Sequence, residues 1–173
     1  MTGHHPKHHF SVTWDELHRH ANALAWKIKD RGKWDVVIGI ARGGLIPAVI
    51  MARELGIRIV ESLAIESYRN YSERGTVAIR KCVHPDIIAV MKDGGKNILI
   101  VDDLVDTGTT FKAVRALFPD AFYVTLYSKP QGASMADESF IQVSQDTWVY
   151  LPWDIDWTHT YAPPMRQPQG SLD

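Results

Sequence analysis

The chain holds a single cysteine, Cys82, in 173 residues. That excludes an internal disulfide and a Cys-rich zinc site, and it fits a reducing compartment. Long hydrophobic runs are lacking too: none approaches the roughly 18 residues a membrane-spanning helix needs. No apolar h-region follows the first residues, so no secretory signal is expected. An excess of one charge is also missing. Nineteen Lys plus Arg face twenty Asp plus Glu, a formal net charge of −1. That excludes a strongly basic nucleic-acid binder, leaving at most a local patch, and no nucleic-acid partner is expected. There is no internal repeat and no linker that would divide the chain. A soluble, cytoplasmic protein is the resulting expectation.

What is present suits one globular domain. Hydrophobic residues make up 45% of the sequence and charged residues 23%, enough for a core at this length. The expected organisation is a disordered His-rich tail over residues 1–11, a single domain over 12–164 and a disordered tail over 165–173. Four of the eight histidines, His4, His5, His8 and His9, fall in the first segment. A polar tail is the reading preferred over a metal site.

Thr13 followed by Glu16 is a capping-box pattern. Leu17, Leu24 and Ile28 then carry a helical stripe, with Ala21 and Ala25 beside them, until Gly32. Residues 35–40 read as a short apolar strand and 41–44 as a turn. Pro47 suits the first turn of a helix reaching about Leu55. Another strand lies within 57–65. Residues 67–81 are polar, with two tyrosines, and read as a long surface loop or lid. A short helix over 84–91 exits at Asp93-Gly94-Gly95. Residues 97–101 are the cleanest buried strand, a helix opens at 107–110, and 121–127 is the next strand. Strands alternating with helices imply an α/β fold with a largely parallel sheet.

The informative segment is Ile98-Leu-Ile-Val-Asp-Asp-Leu-Val-Asp-Thr-Gly-Thr-Thr110. In open α/β sheets ligands bind beyond the carboxyl ends of strands. Asp102 and Asp103 fall at that edge. Adjacent carboxylates beside an apolar strand repel one another and lose hydration, so they call for a divalent cation or ligand hydroxyls. Thr107, Gly108, Thr109 and Thr110 have the opposite chemistry, with hydroxyls and free backbone N–H groups at a helix start, a site for an anion. Acids followed at once by a phosphate cradle suggest a sugar phosphate. Arg42 and Gly43, after a strand, are a second candidate anion grip.

This segment resembles the 5-phosphoribosyl 1-diphosphate (PRPP) motif of type I phosphoribosyltransferases. The resemblance runs from Val12-Thr-Trp-Asp15 to Pro164. Arg42-Gly43-Gly44, Ala52 to Ile57, Ser128-Lys-Pro130, Gln145-Asp-Thr-Trp148 and Pro152-Trp-Asp154 look closest to the bacterial xanthine-guanine branch. The resemblance implies the type I fold, with a small hood over the base site and a flexible lid loop. It also implies transfer of the phosphoribosyl group of PRPP to N9 of a 6-oxopurine in purine salvage, with Mg²⁺ as cofactor. The substrates would be PRPP and xanthine, guanine or, less so, hypoxanthine.

Residue by residue, the resemblance puts the 5′-phosphate on the loop from Asp106 to Thr110, continuous with Leu104 and Val105. Asp102 and Asp103 would face the ribose hydroxyls, and Asp103 would meet magnesium directly or through water. Arg42 and Gly43 would hold the pyrophosphate, where the family often has a non-proline cis peptide. Arg74, with Arg69 as a second candidate, would reach PRPP from the lid. Asp106 would face N7 of the purine, either accepting a proton or binding that edge without full transfer. Lys129 would donate to O6, and a site built around a donor rejects adenine's amino group. Trp148 would stack on the base, Val149 would meet its edge mainly through backbone groups, and Asp154 would lie at the rim. The other five tryptophans, Trp14, Trp26, Trp34, Trp153 and Trp157, read as core packing. A homodimer or homotetramer is implied, as is the peripheral inner-membrane association of some relatives, although no basic amphipathic helix speaks for it. Two rival functions stay open: a PRPP- or nucleotide-binding regulator on the same fold, and a hypoxanthine-preferring enzyme.

Overall fold

The computed structural model describes residues 8–67 and 77–154. Arg69, Arg74, Trp157 and the tail over 165–173 lie outside the described residues.

Strand β1 (His8–Ser11) leads into α1 (Trp14–Ile28). The Thr13/Glu16 capping box is formed: Glu16 N–H donates to the Thr13 hydroxyl, and the Glu16 carboxylate accepts from Thr13 N–H at 2.9 Å. Leu17, Ala21, Leu24, Ala25 and Ile28 are the buried stripe. β2 (Val36–Ala41) and α2 (Leu45–Glu54) follow, then β3 (Ile59–Ser67) and β4 (Val77–Lys81). α3 (Pro85–Val90) precedes a 3₁₀ turn at Asp93–Gly95. β5 (Ile98–Val105), α4 (Thr109–Arg115), β6 (Phe122–Ser128), β7 (Glu138–Gln142) and β8 (Thr147–Tyr150) complete the order.

Six strands form one sheet in the order β4-β3-β2-β5-β6-β7, parallel except where β4 runs against β3. β1 and β8 form a separate parallel pair. The sheet carries a core on each face. Val37, Leu99 and Val101 pack with the α1 and α2 residues on one side. Ile38, Ile98 and Ile100 pack with Ile87 of α3 and Phe111 and Val114 of α4 on the other. The α/β fold with a largely parallel sheet is therefore as expected.

Three expectations need correction, and one strand was not expected at all. Residues 8–11 are strand β1, not tail, because the β8 ladder takes their backbone groups and Phe10 packs edge-on to Tyr127 at 5.7 Å. Residues 77–81 belong to β4 rather than to a loop, since they pair with Ala64–Ser67. β7 gave no signal that the sequence reading used. Trp14 and Trp26 are more than half exposed, not core; Trp26 instead donates its indole N–H to Glu54 at 3.2 Å.

Candidate active site

The sheet order sets the place. From β2 the chain moves outward to β3, and from β5 it moves the opposite way to β6. The carboxyl ends of β2 and β5 thus flank the point where strand order reverses, the usual ligand crevice of such sheets. The β2–β5 register stops at Gly39 opposite Val101. β5 continues alone on that side through Asp102 and Asp103, which lie inside the strand and not just past it.

The loop after β2 fills the resulting gap. The peptide Ala41–Arg42 is cis, as the resemblance implied. A Cβ on Gly43 would overlap the Asp103 carboxylate, and one on Gly44 would strike the backbone of Val101 and Asp102. A glycine is required at Gly44 for this close backbone approach, whereas a side chain at Gly43 would have to displace the Asp103 carboxylate. Arg42, the residue before Gly43, is exposed.

Asp102 is 8% exposed and accepts the Asp103 N–H at 2.9 Å. Asp103 accepts the Leu104 N–H at 2.7 Å. Burial, and then the charge of Asp103, push the Asp102 carboxyl well above the usual range. Burial also raises Asp103, against the hydrogen bonds from Asp102 and from backbone that hold it down. A divalent cation beside Asp103 would favour the charged form, so the donor chemistry fits Mg²⁺. Among the described residues no cluster of three or more His, Cys, Asp or Glu is able to hold a metal by itself. The remaining oxygens would come from substrate and water, as Mg²⁺ prefers.

β5 ends in the next loop. Gly108 is left-handed at φ 79° and leads into α4. The Thr107 and Thr109 hydroxyls are hydrogen-bonded at 2.9 Å. Residues 104–111, including Thr110, line a cavity of about 100 Å³. Its hydroxyls and backbone N–H groups suit a phosphate.

A larger cavity, about 350 Å³, adjoins it through Asp106 and Thr107. Lys129, Gln131, Gln145, Asp146, Thr147 and Trp148 complete its lining. Lys129 is 7% exposed, and its Nζ lies 3.3 Å from Asp106 Oδ2. Gln145 Nε2 donates to the other oxygen, Oδ1, at 2.6 Å. Trp148 is 48% exposed, a large aromatic face left open in the cavity wall. Val149 is 6% exposed; strand alternation turns its side chain into the core and leaves it out of the lining. Asp154 accepts the Leu151 N–H at 2.9 Å and so closes the turn beyond β8.

The structure thus sets Gly43 against Asp103 beside Asp102 at the end of β5, and gathers Asp106, Thr107, Gly108, Thr109, Thr110, Lys129 and Trp148 around the two adjoining cavities that follow. Arg42 is exposed in the loop next to Gly43. Gln145, Asp146 and Thr147 were missed as site residues, although they fall in the segment that carried the resemblance. Gln131 had no sequence signal, since a glutamine in a turn reads as surface.

A family model described as the phosphoribosyl transferase domain matches residues 13–159. A purine phosphoribosyltransferase from Pyrococcus horikoshii is similar at 29% identity and TM-score 0.73, over 89% of this chain and 99% of that one. A hypothetical protein from Neisseria gonorrhoeae with bound ppGpp is similar at 28% identity and TM-score 0.64, over 86% and 90%. The Helicobacter pylori xanthine-guanine-hypoxanthine phosphoribosyltransferase shares the fold, with 21% identity and TM-score 0.65 over 86% and 95%. With the crevice at the strand-order reversal and the domain match over most of its length, this chain belongs to the phosphoribosyltransferase family.

Proposed function

We propose that the protein transfers the 5-phosphoribosyl group of PRPP to N9 of a 6-oxopurine, in purine salvage in the cytoplasm. The observation that carries this reading is the pairing of two cavities through Asp106 and Thr107: a small phosphate cradle and a larger pocket with a buried lysine and an open indole face. In the reaction N9 forms a bond to C1′ as the C1′–oxygen bond to pyrophosphate breaks, and the diphosphate leaves with the electron pair. The base proton passes to Asp106 or to water.

The 5′-phosphate would rest on residues 106–110. Asp102 and Asp103 would orient the ribose hydroxyls, and Arg42 with the Gly43 backbone would hold the leaving diphosphate. Arg74 would approach PRPP from the lid. Magnesium, held at Asp103, would supply further charge neutralisation of the diphosphate. Such fixed charges and dipoles carry much of the acceleration in enzymes. Lys129 Nζ would donate to O6, Trp148 would cover the ring, and the Val149 backbone would meet the C2 edge. Because an amino group in place of O6 leaves the Lys129 donor unanswered, adenine should be rejected. The family match leaves the order among xanthine, guanine and hypoxanthine open: this reading puts xanthine and guanine first on the resemblance, its alternative is a hypoxanthine-preferring enzyme, and the relative rates with the three bases decide. A homodimer or homotetramer belongs to the same reading, checked by light scattering of the purified protein.

A second reading has one observation behind it: the Neisseria gonorrhoeae relative carries ppGpp. The chain would then bind PRPP or a guanine nucleotide as a regulator. The deciding experiment is a spectrophotometric assay with PRPP and Mg²⁺ plus each of four bases. Turnover with oxopurines and none with adenine is expected. Folded protein that binds PRPP but converts no base would favour the regulator.

A further inference from the structure

Gln145 is half-buried in the turn between β7 and β8, a turn locked by its own hydrogen bonds. Ser144 Oγ donates to Asp146 Oδ1 at 2.7 Å, and Thr147 N–H donates to the Ser144 carbonyl at 3.1 Å. The Gln145 side chain reaches two other segments. Its Oε1 accepts the Gln131 N–H at 3.1 Å, and its Nε2 donates to Asp106 Oδ1 at 2.6 Å. The Gln131 donor fixes which way the amide faces. Turned over, the amide would set its oxygen against a carboxylate and its NH₂ against an N–H. Gln131 is itself fixed, because Gly132 N–H and Ala133 N–H both donate to the Lys129 carbonyl, at 3.0 and 2.9 Å.

Asp106 therefore has a donor on each oxygen, Lys129 on Oδ2 and Gln145 on Oδ1. One donor alone leaves a carboxylate free to rotate about its last bond, since that torsion is broad. Two donors from different loops hold its plane. Each oxygen keeps a further lone-pair direction for a ligand. We infer that Gln145 is a positioning residue: it holds the Asp106 carboxylate in the plane that meets the base, and ties the base-reading loop at Gln131 to the phosphate loop. The inference rests on the purine-transfer reading. It concerns the base half of the site, because the Thr107–Thr110 cradle has its own internal hydrogen bond.

The test is a double-mutant cycle with steady-state kinetics, in which KM for each substrate and kcat are measured separately. Gln145→Met keeps the length and removes the donor. Gln145→Glu keeps the shape and replaces the donor with an acceptor, so the pair also separates a packing defect from loss of the hydrogen bond. Each variant is expected to lower kcat/KM for the base about 10- to 100-fold, the range for a hydrogen bond to a charged group. The KM for PRPP should stay within about twofold, and in an Asp106→Ala background Gln145→Met should cost less than about twofold, because coupled residues are not additive. An equal loss in both backgrounds, or no loss with either variant, overturns the inference while leaving the purine-transfer reading intact. A wild-type chain that converts no oxopurine overturns the reading and this inference with it.

Discussion

Two adjacent carboxyls buried on one strand work against the fold, because each loses hydration and each repels the other. Asp102 and Asp103 carry that burden at the crevice floor, and both are shifted upward as a result. Asp103→Asn is therefore expected to act in two directions. Without metal it should raise Tm by about 2–4 °C, the shift that roughly 1 kcal/mol gives a domain of this size. With PRPP, Mg²⁺ and base it should lower kcat about 100-fold or more. Thermal unfolding and the base assay check both on one preparation, and an active variant would remove the metal assignment. These acids were legible in the sequence because two Asp after four aliphatics is a local pattern. Gln145 and Gln131 were not: their role comes from meeting across loops that are distant along the chain.

At the scale of elements, Glu61 joins three of them. Its carboxylate accepts from the Ser62 N–H of β3 at 2.6 Å, from Lys81 of β4 at 2.9 Å and from the His84 N–H before α3 at 3.3 Å. The Ser62 backbone bond, then Lys81, lower its pKa from 4.5 to about 2. A depressed carboxyl contributes stability that is present above the unfolded value and lost as pH falls through the folded one. Acid titration of Tm should thus show an extra loss between pH 4.5 and 2. Glu61→Gln should flatten that loss and cost about 1–2 kcal/mol at neutral pH; identical acid profiles would reject the clamp. The pair β1 and β8 makes a second case. β1 pairs His9 with Trp148 and Phe10 with Val149, so it backs the strand that carries the indole. Removing residues 1–11 is expected to raise the KM for the base about tenfold, with the KM for PRPP within about twofold. Unchanged kinetics would mean that β8 holds its place alone. Long, strongly periodic elements such as α1 were legible, whereas β1, β4 and β7 are short, and a strand of four or five residues owes its existence to its neighbour.

For the whole molecule, β5 is the spine, with Leu99 and Val101 in one core and Ile98 and Ile100 in the other. Ile100→Ala should cost about 3–4 kcal/mol through lost transfer energy and a cavity. Because both layers share that strand, denaturant should unfold the variant in one transition, and two separated transitions would show the layers to be independent. Among the described residues no helix is long and apolar enough to cross a membrane. The sequence by itself determined the alternating α/β layers and the acidic strand end with its threonine-rich loop, because those signals lie in contiguous residues whose period and chemistry can be read in order. Only the tertiary structure decided that His8–Ser11 is a strand, that Trp148 faces a cavity while Val149 does not, and that Asp106 is held between Lys129 and Gln145. Each of those depends on which distant backbone or side chain arrives alongside, and a linear sequence does not state that.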